Sequence, residues 1–223
     1  MPKTVILTVP HCIPLEYTNE RTSDTNSLKM AHILKTKLKQ QIQTIIITSK
    51  QNRYILDDNR YSNKNNKYTI KQDSGLWNNL RIIINNLFDS YYLYCMTKIK
   101  YLILKDKNTE IKPIRQPKIF IIDCHSFYLG GFGKYSDIKL EHEVVILDYK
   151  PYQQITESLT LELNNNGIKA SLLDGQIGGN SILDVFTLHP ILIQTVLLEI
   201  REDLSESRLN EIADIVSNVL LKH

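Results

Sequence analysis

The sequence predicts an α/β protein, a three-layer sandwich with a mostly parallel mixed sheet, on three observations. Short apolar runs rich in β-branched residues recur along the chain: TVILTVP (4–10), TIIITS (44–49), KIFIIDCHS (118–126), EVVILDY (143–149) and QTVLLEIRED (194–203). Longer stretches with helical spacing alternate with them. The runs are apolar in succession, the pattern of strands covered on both faces by helices. At 223 residues the chain suits one sizeable domain, 1–223, with its own core.

Each element has its own signal. TVILTVP is stopped by Pro10, which has no N–H to give a ladder. Ser23 or Asp24 then precedes Leu28, Ala31, Ile33, Leu34 and Leu38, which predict a capped helix to about Gln40. TIIITS is the second strand. Residues 61–75 (YSNKNNKYTIKQDSG) are polar and low in complexity and predict a flexible loop. Residues 76–104 read as helix, with a break near Asp89–Ser90, and Pro113 and Pro117 bracket a short linker. KIFIIDCHS and EVVILDY are the third and fourth strands. A helix over 153–166 ends on Asn166–Gly167 as its C-cap. LLDGQIGGNS (172–181) reads as a turn-rich loop and QTVLLEIRED as the fifth strand. Ser205 begins a last amphipathic helix over 205–221, with Leu209, Ile212, Val216, Val219 and Leu220 on one side.

Composition excludes several function classes. A net charge of +3 is spread along the chain and makes no nucleic-acid surface. Runs such as IFII and VVIL are far too short to span a bilayer, so no membrane partner is expected. MPKTVILTVPH has one early lysine, stops at Pro10 and lacks a small-residue cleavage site; it reads as a strand and not as a signal peptide. Three cysteines without a pairing pattern fit a reducing compartment, and a cytoplasmic location is expected.

In open α/β sheets ligands bind where side chains leave the carboxyl ends of strands. Polar reactive residues do cluster just after the apolar runs. His11 follows the first, Arg53 to Arg60 the second, Asp123, His125 and Ser126 the third, and Glu199 lies near the end of the last. A single strand-end histidine is more often a hydrogen-bonded structural residue than a ligand. Two of them with an acid available point to a metal, and a catalytic zinc takes three protein ligands, His₂-carboxylate among the established sets. Glu16 and Asp24 compete for the acid, and Asp24 has the rival role of helix N-cap. Cys12 and Cys124 neighbour the histidines and so point to opposite faces, as packing residues. Glu199 in an apolar strand is costly unless paired. It is either an ion-pair partner of Arg201 or Arg53, or a general base beside an activated water. In RYILDDNR (53–60), Asn59 and Arg60 suit a substrate carboxylate and Arg53 a carbonyl; Asp57 and Asp58 could instead neutralise both arginines internally. GGFG (130–133) has the wrong spacing for a phosphate loop.

The order of these motifs, VPH, an Asp opening the first helix, R-Y-I-L-D-D-N-R, D-C-H-S and L-E-I-R-E-D-L, resembles the N-formylglutamate amidohydrolase family over residues 4 to 204. The resemblance implies a metallocarboxypeptidase-like (phosphorylase/hydrolase-like) fold and Zn²⁺ as cofactor. It implies His11, Asp24 and His125 as metal ligands, tipping Asp24 over Glu16. It implies Glu199 as the catalytic glutamate, Arg53 as the carbonyl-polarising arginine, and Asn59 and Arg60 as the grip on the substrate carboxylate. The reaction implied is cleavage of an amide or formamide bond in an N-acyl amino acid such as N-formylglutamate. The partner is then a small-molecule carboxylate or a peptide. Departures are the missing glycine after the first histidine (HCIP), the rewritten FYLGGFGKYSD and the loosely matched IGGNS. Residues 127–137 and 172–186 are therefore expected to shape the pocket. The alternatives are a zinc carboxypeptidase or peptidoglycan amidase, and a non-catalytic metal-binding pseudoenzyme.

Overall fold

The computed structural model describes residues 4–12, 25–48, 79–80, 82–84, 86–87, 119–128, 141–148, 153–174 and 193–223. In chain order they form β1 (Thr4–Val9), α1 (Thr25–Leu38), β2 (Gln43–Thr48), β3 (Ile119–Phe127), β4 (Val144–Asp148), α2 (Gln153–Asn165), β5 (Ala170–Asp174), β6 (Ile193–Arg201) and α3 (Glu206–Lys222). The described residues between 79 and 87 are helical. The predicted loop 61–75, the linker at Pro113–Pro117 and the capping choice between Ser23 and Asp24 lie outside the described residues.

The six strands form one sheet in the order β2-β1-β3-β6-β4-β5. β2, β1, β3 and β6 are parallel to one another, while β4 runs antiparallel to β6 and carries β5 parallel to itself. The α/β sandwich with a mostly parallel mixed sheet is thus present. Its strands split into a parallel set of four and a reversed pair. The carboxyl ends of β1, β2, β3 and β6 share one edge, and those of β4 and β5 lie at the opposite one.

Both faces are covered. On one, Val5, Leu7, Val9, Phe120, Ile122, Val196, Leu198 and Ile200 pack under the apolar stripes of α1, α2 and α3 in a single buried cluster. On the other, Ile6, Ile121 and Ile193 meet Leu80 and Ile84 from the helical residues between 79 and 87. Further across that face, Phe127, Val145, Leu147 and Leu197 form a third cluster. Alternate strand residues feed opposite layers, which is why these runs are apolar throughout.

Helix ends follow the sequence closely. The Ser205 side chain accepts from Arg208 N–H at the start of α3. At the end of α2 the Ile168 N–H donates to Leu163 O and the Gly167 N–H to Asn164 O, both at 3.0 Å. Gly167 takes φ +74°, so the C-cap is a Schellman turn. One element departs from expectation: residues 170–174 form β5, whereas 172–181 reads as loop from sequence. Among the described strands β5 is the outermost and is short, and its apolar run of Ala170, Leu172 and Leu173 is cut by Ser171 and ended by Asp174.

Candidate metal centre at the carboxyl edge of the sheet

β1 is flanked by β2 on one side and β3 on the other. The chain leaves β1 through α1 on one face to reach β2. It then passes the helical residues between 79 and 87, on the other face, before entering β3. The chain thus continues from β1 to β2 on one side, and from β3 to β4 on the other side of the sheet. This reversal between β1 and β3 is the topological switch point, where ligands of open α/β sheets bind. His11 lies just beyond β1 and His125 within the last three residues of β3.

Both histidines are 4 % exposed, and their ring centroids are 5.0 Å apart with the planes at 67°. His125 is held from below. Its Nε2 lies 3.1 Å from Asp123 Oδ2, and the Thr8 hydroxyl donates to Asp123 Oδ1 at 2.6 Å. Asp123 and Thr8 are fully buried. The geometry follows from register: Thr8 is the cross-strand neighbour of Asp123, and two residues on in the same strand His125 projects from the same face. A carboxylate offers only acceptors, so in the neutral ring Nε2 carries the hydrogen and Nδ1 keeps its lone pair.

Glu199 is the register partner of His125 on the adjacent parallel strand. The two side chains therefore leave the same face of the sheet, and Glu199 is half-buried. Arg201 contacts Asp203 at 2.5 Å and the His142 carbonyl at 3.2 Å. Cys124 points the other way, into the helix-covered core, where burial pushes its thiol far above the ordinary cysteine range. Cys12 packs partly against the same core. Both act as packing residues here.

The structure thus sets His11 against His125 and places Glu199 beside His125 in register. Asp24, Arg53, Asn59, Arg60 and the competing Glu16 lie outside the described residues. Among the described residues no three His, Cys, Asp or Glu side chains are grouped so as to hold a metal. The donor chemistry fits a zinc ion at the pair. Two imidazoles bound through nitrogen to one tetrahedral ion at about 2.0–2.1 Å have ring centres roughly 5 Å apart. An imidazole whose far nitrogen donates to a carboxylate is the usual arrangement of a histidine that ligates a metal.

Three polar residues at this edge carry no sequence signal. Thr8 is an ordinary strand residue until Asp123 is opposite it. Asn26, 2 % exposed, donates through Nδ2 to the carbonyls of Arg201 and Glu202, both at 3.0 Å. Glu202 Oε1 accepts from Asn26 N–H at 3.0 Å and from the Ser126 hydroxyl. Asn26 and Glu202 together bolt the start of α1 to the ends of β3 and β6.

Among the described residues no helix is long and apolar enough to cross a membrane. No protein-family model matches the chain, and no curated protein does. Solved structures do match it. The crystal structure of gene product Atu2144 from Agrobacterium tumefaciens aligns with 98 % of this chain and 89 % of its own, at 17 % identity and a TM-score of 0.57. The N-formylglutamate amidohydrolase from Ralstonia eutropha JMP134 aligns with 98 % of this chain and 91 % of its own, at 12 % identity and a TM-score of 0.54. At such identities the likeness is one of fold.

Proposed function

We propose that the protein is a zinc-dependent amidohydrolase that cleaves the amide or formamide bond of an N-acyl amino acid. The observation that carries this is the buried pair His11 and His125, ring centres 5.0 Å apart at the switch point, with His125 oriented by Asp123. The fold shared with an N-formylglutamate amidohydrolase agrees with it. His11 and His125 would hold the ion with Asp24 as third ligand, leaving one position open. When bound there, zinc supplies Lewis acidity, which brings the pKa of a water to about 7 and polarises a carbonyl.

The chain's own groups do the rest. Glu199, beside His125 and partly open to solvent, accepts the proton of the attacking water. It then returns that proton to the leaving amine, so that amide and water become acid and amine. Arg53 stabilises the oxyanion, a type of contact whose removal costs on the order of 3 kcal/mol. Asn59 and Arg60 grip the substrate carboxylate and fix the carbonyl for attack. Asp123, through His125, keeps the imidazole in one tautomer and orientation.

Metal analysis and turnover of purified variants test this reading. Wild type carries about one zinc per chain and hydrolyses N-formylglutamate or another N-acyl amino acid; His125→Ala loses the zinc. Glu199→Gln keeps the zinc and loses turnover. Arg60→Ala raises KM for carboxylated substrates while leaving neutral amides unaffected. A Glu199→Gln variant as fast as wild type removes the base, and a metal-free wild type removes the whole reading.

A further inference from the structure

Glu202 stands three residues beyond the proposed base and has no part in the chemistry above. It nonetheless joins three segments of the site. Its Oε1 accepts from the Asn26 N–H at 3.0 Å and from the Ser126 hydroxyl. Its own N–H donates to Phe127 O at 2.9 Å. Asn26 answers with its side-chain amide on the carbonyls of Arg201 and Glu202. Ser126 follows His125 directly in β3, and Asn26 is the second residue of α1. The carboxylate therefore sits where it satisfies an early helix N–H that has no partner within the helix, and where the helix dipole favours negative charge.

We infer that Glu202 is a positioning residue of the metal centre, fixing the first turn of α1 against the end of the strand that bears His125. The inference rests on the zinc reading proposed above. Asp123 holds His125 through its ring, whereas the Glu202 carboxylate holds the side chain of the next residue, Ser126, and the helix that the proposed third ligand, Asp24, precedes in sequence. Loosening this junction changes the spacing of donors drawn from separate segments, and a metal site tolerates little change in spacing.

Zinc dissociation constants, measured by competition with a chromophoric chelator, test this beside apo-protein melting temperatures. Glu202→Ala is expected to weaken zinc by about 10- to 100-fold. Glu202→Gln keeps an Oε1 acceptor for both donors and stays within a few-fold of wild type. Ser126→Ala, which removes one donor and disturbs folding least, weakens zinc several-fold and decides the matter if Glu202→Ala fails to fold. Wild-type zinc affinity in Glu202→Ala or in Ser126→Ala overturns the inference. So do equal losses in the Ala and Gln variants of Glu202 with equal falls in melting temperature. A wild type that binds no zinc overturns the metal reading as well, which separates the two failures.

Discussion

The Thr8 hydroxyl and the Asp123 carboxylate meet at 2.6 Å inside the sheet, and both residues are fully buried. Removing the hydroxyl without changing the volume isolates that bond. Thr8→Val is expected to destabilise the fold by about 1–3 kcal/mol, since a buried carboxylate loses a donor it cannot replace. A urea midpoint unchanged from wild type would show that Asp123 is satisfied elsewhere. The thiols give a second residue-scale expectation. Cys124 is fully buried with its pKa pushed up by burial and by Asp123, whereas Cys12 is partly exposed. In native protein a thiol reagent should therefore label Cys12 well before Cys124, as mass spectrometry of the alkylated chain can check; equal rates would mean the core opens readily. At this scale the site is legible where a polar residue interrupts or ends an apolar strand. His11, His125, Asp123 and Glu199 are found that way. Thr8, Asn26 and Glu202 are not, because a threonine in a strand or an asparagine early in a helix looks the same whether solvent or a buried partner receives it.

Elements were legible in proportion to their length and to the clarity of their ends. The C-terminus of α2 carries both a periodic stripe and a glycine, and the chain turns there as expected. Gly167 has φ +74° and open space within 4 Å of where a Cβ would stand, so a side chain at this position meets only backbone strain. Gly167→Ala is expected to cost about 1–2 kcal/mol, and Gly167→Asn less, because asparagine tolerates the left-handed region. Thermal unfolding of the two variants ranks them; an alanine variant as stable as wild type would mean the turn adopts another conformation. β5 escaped the sequence reading for the opposite reason. Its five residues lie outermost among the described strands and mix Ala and Ser with only two leucines, a pattern that loops share. Pairing with β4 makes it a strand, and no local signal announces a pairing partner. The direction of β4 was hidden likewise, since an apolar run reads the same beside a parallel or an antiparallel neighbour.

Across the whole molecule the parallel half of the sheet places the candidate site, and the reversed half must be fastened to it. Arg208 does much of that fastening. From the first turn of α3 its guanidinium donates to both carboxylate oxygens of Glu143, at 2.7 and 2.8 Å, and to the Gly167 carbonyl at 2.7 Å. Glu143 precedes β4, also accepts from Lys169 N–H at 3.1 Å, and offers its carbonyl to Arg201 N–H at 3.0 Å. One ion pair thus joins β4, the α2–β5 turn, β6 and α3. The hydrogen bond from Arg208 holds the Glu143 carboxyl below its ordinary value of 4.5, against a smaller opposing effect of burial. A carboxyl with a depressed folded pKa contributes stability that is fully present above its unfolded pKa and is lost as pH falls through the folded value. Glu143→Gln should then be less stable than wild type at pH 7 by on the order of 1 kcal/mol. That gap should close progressively below about pH 4.5, as Glu143 in the wild type takes up its proton. Urea unfolding of both proteins from pH 7 down to pH 3 measures the gap directly. A difference that stays constant over the whole range would mean that the side chain's shape, and not its charge, holds the reversed strands in place.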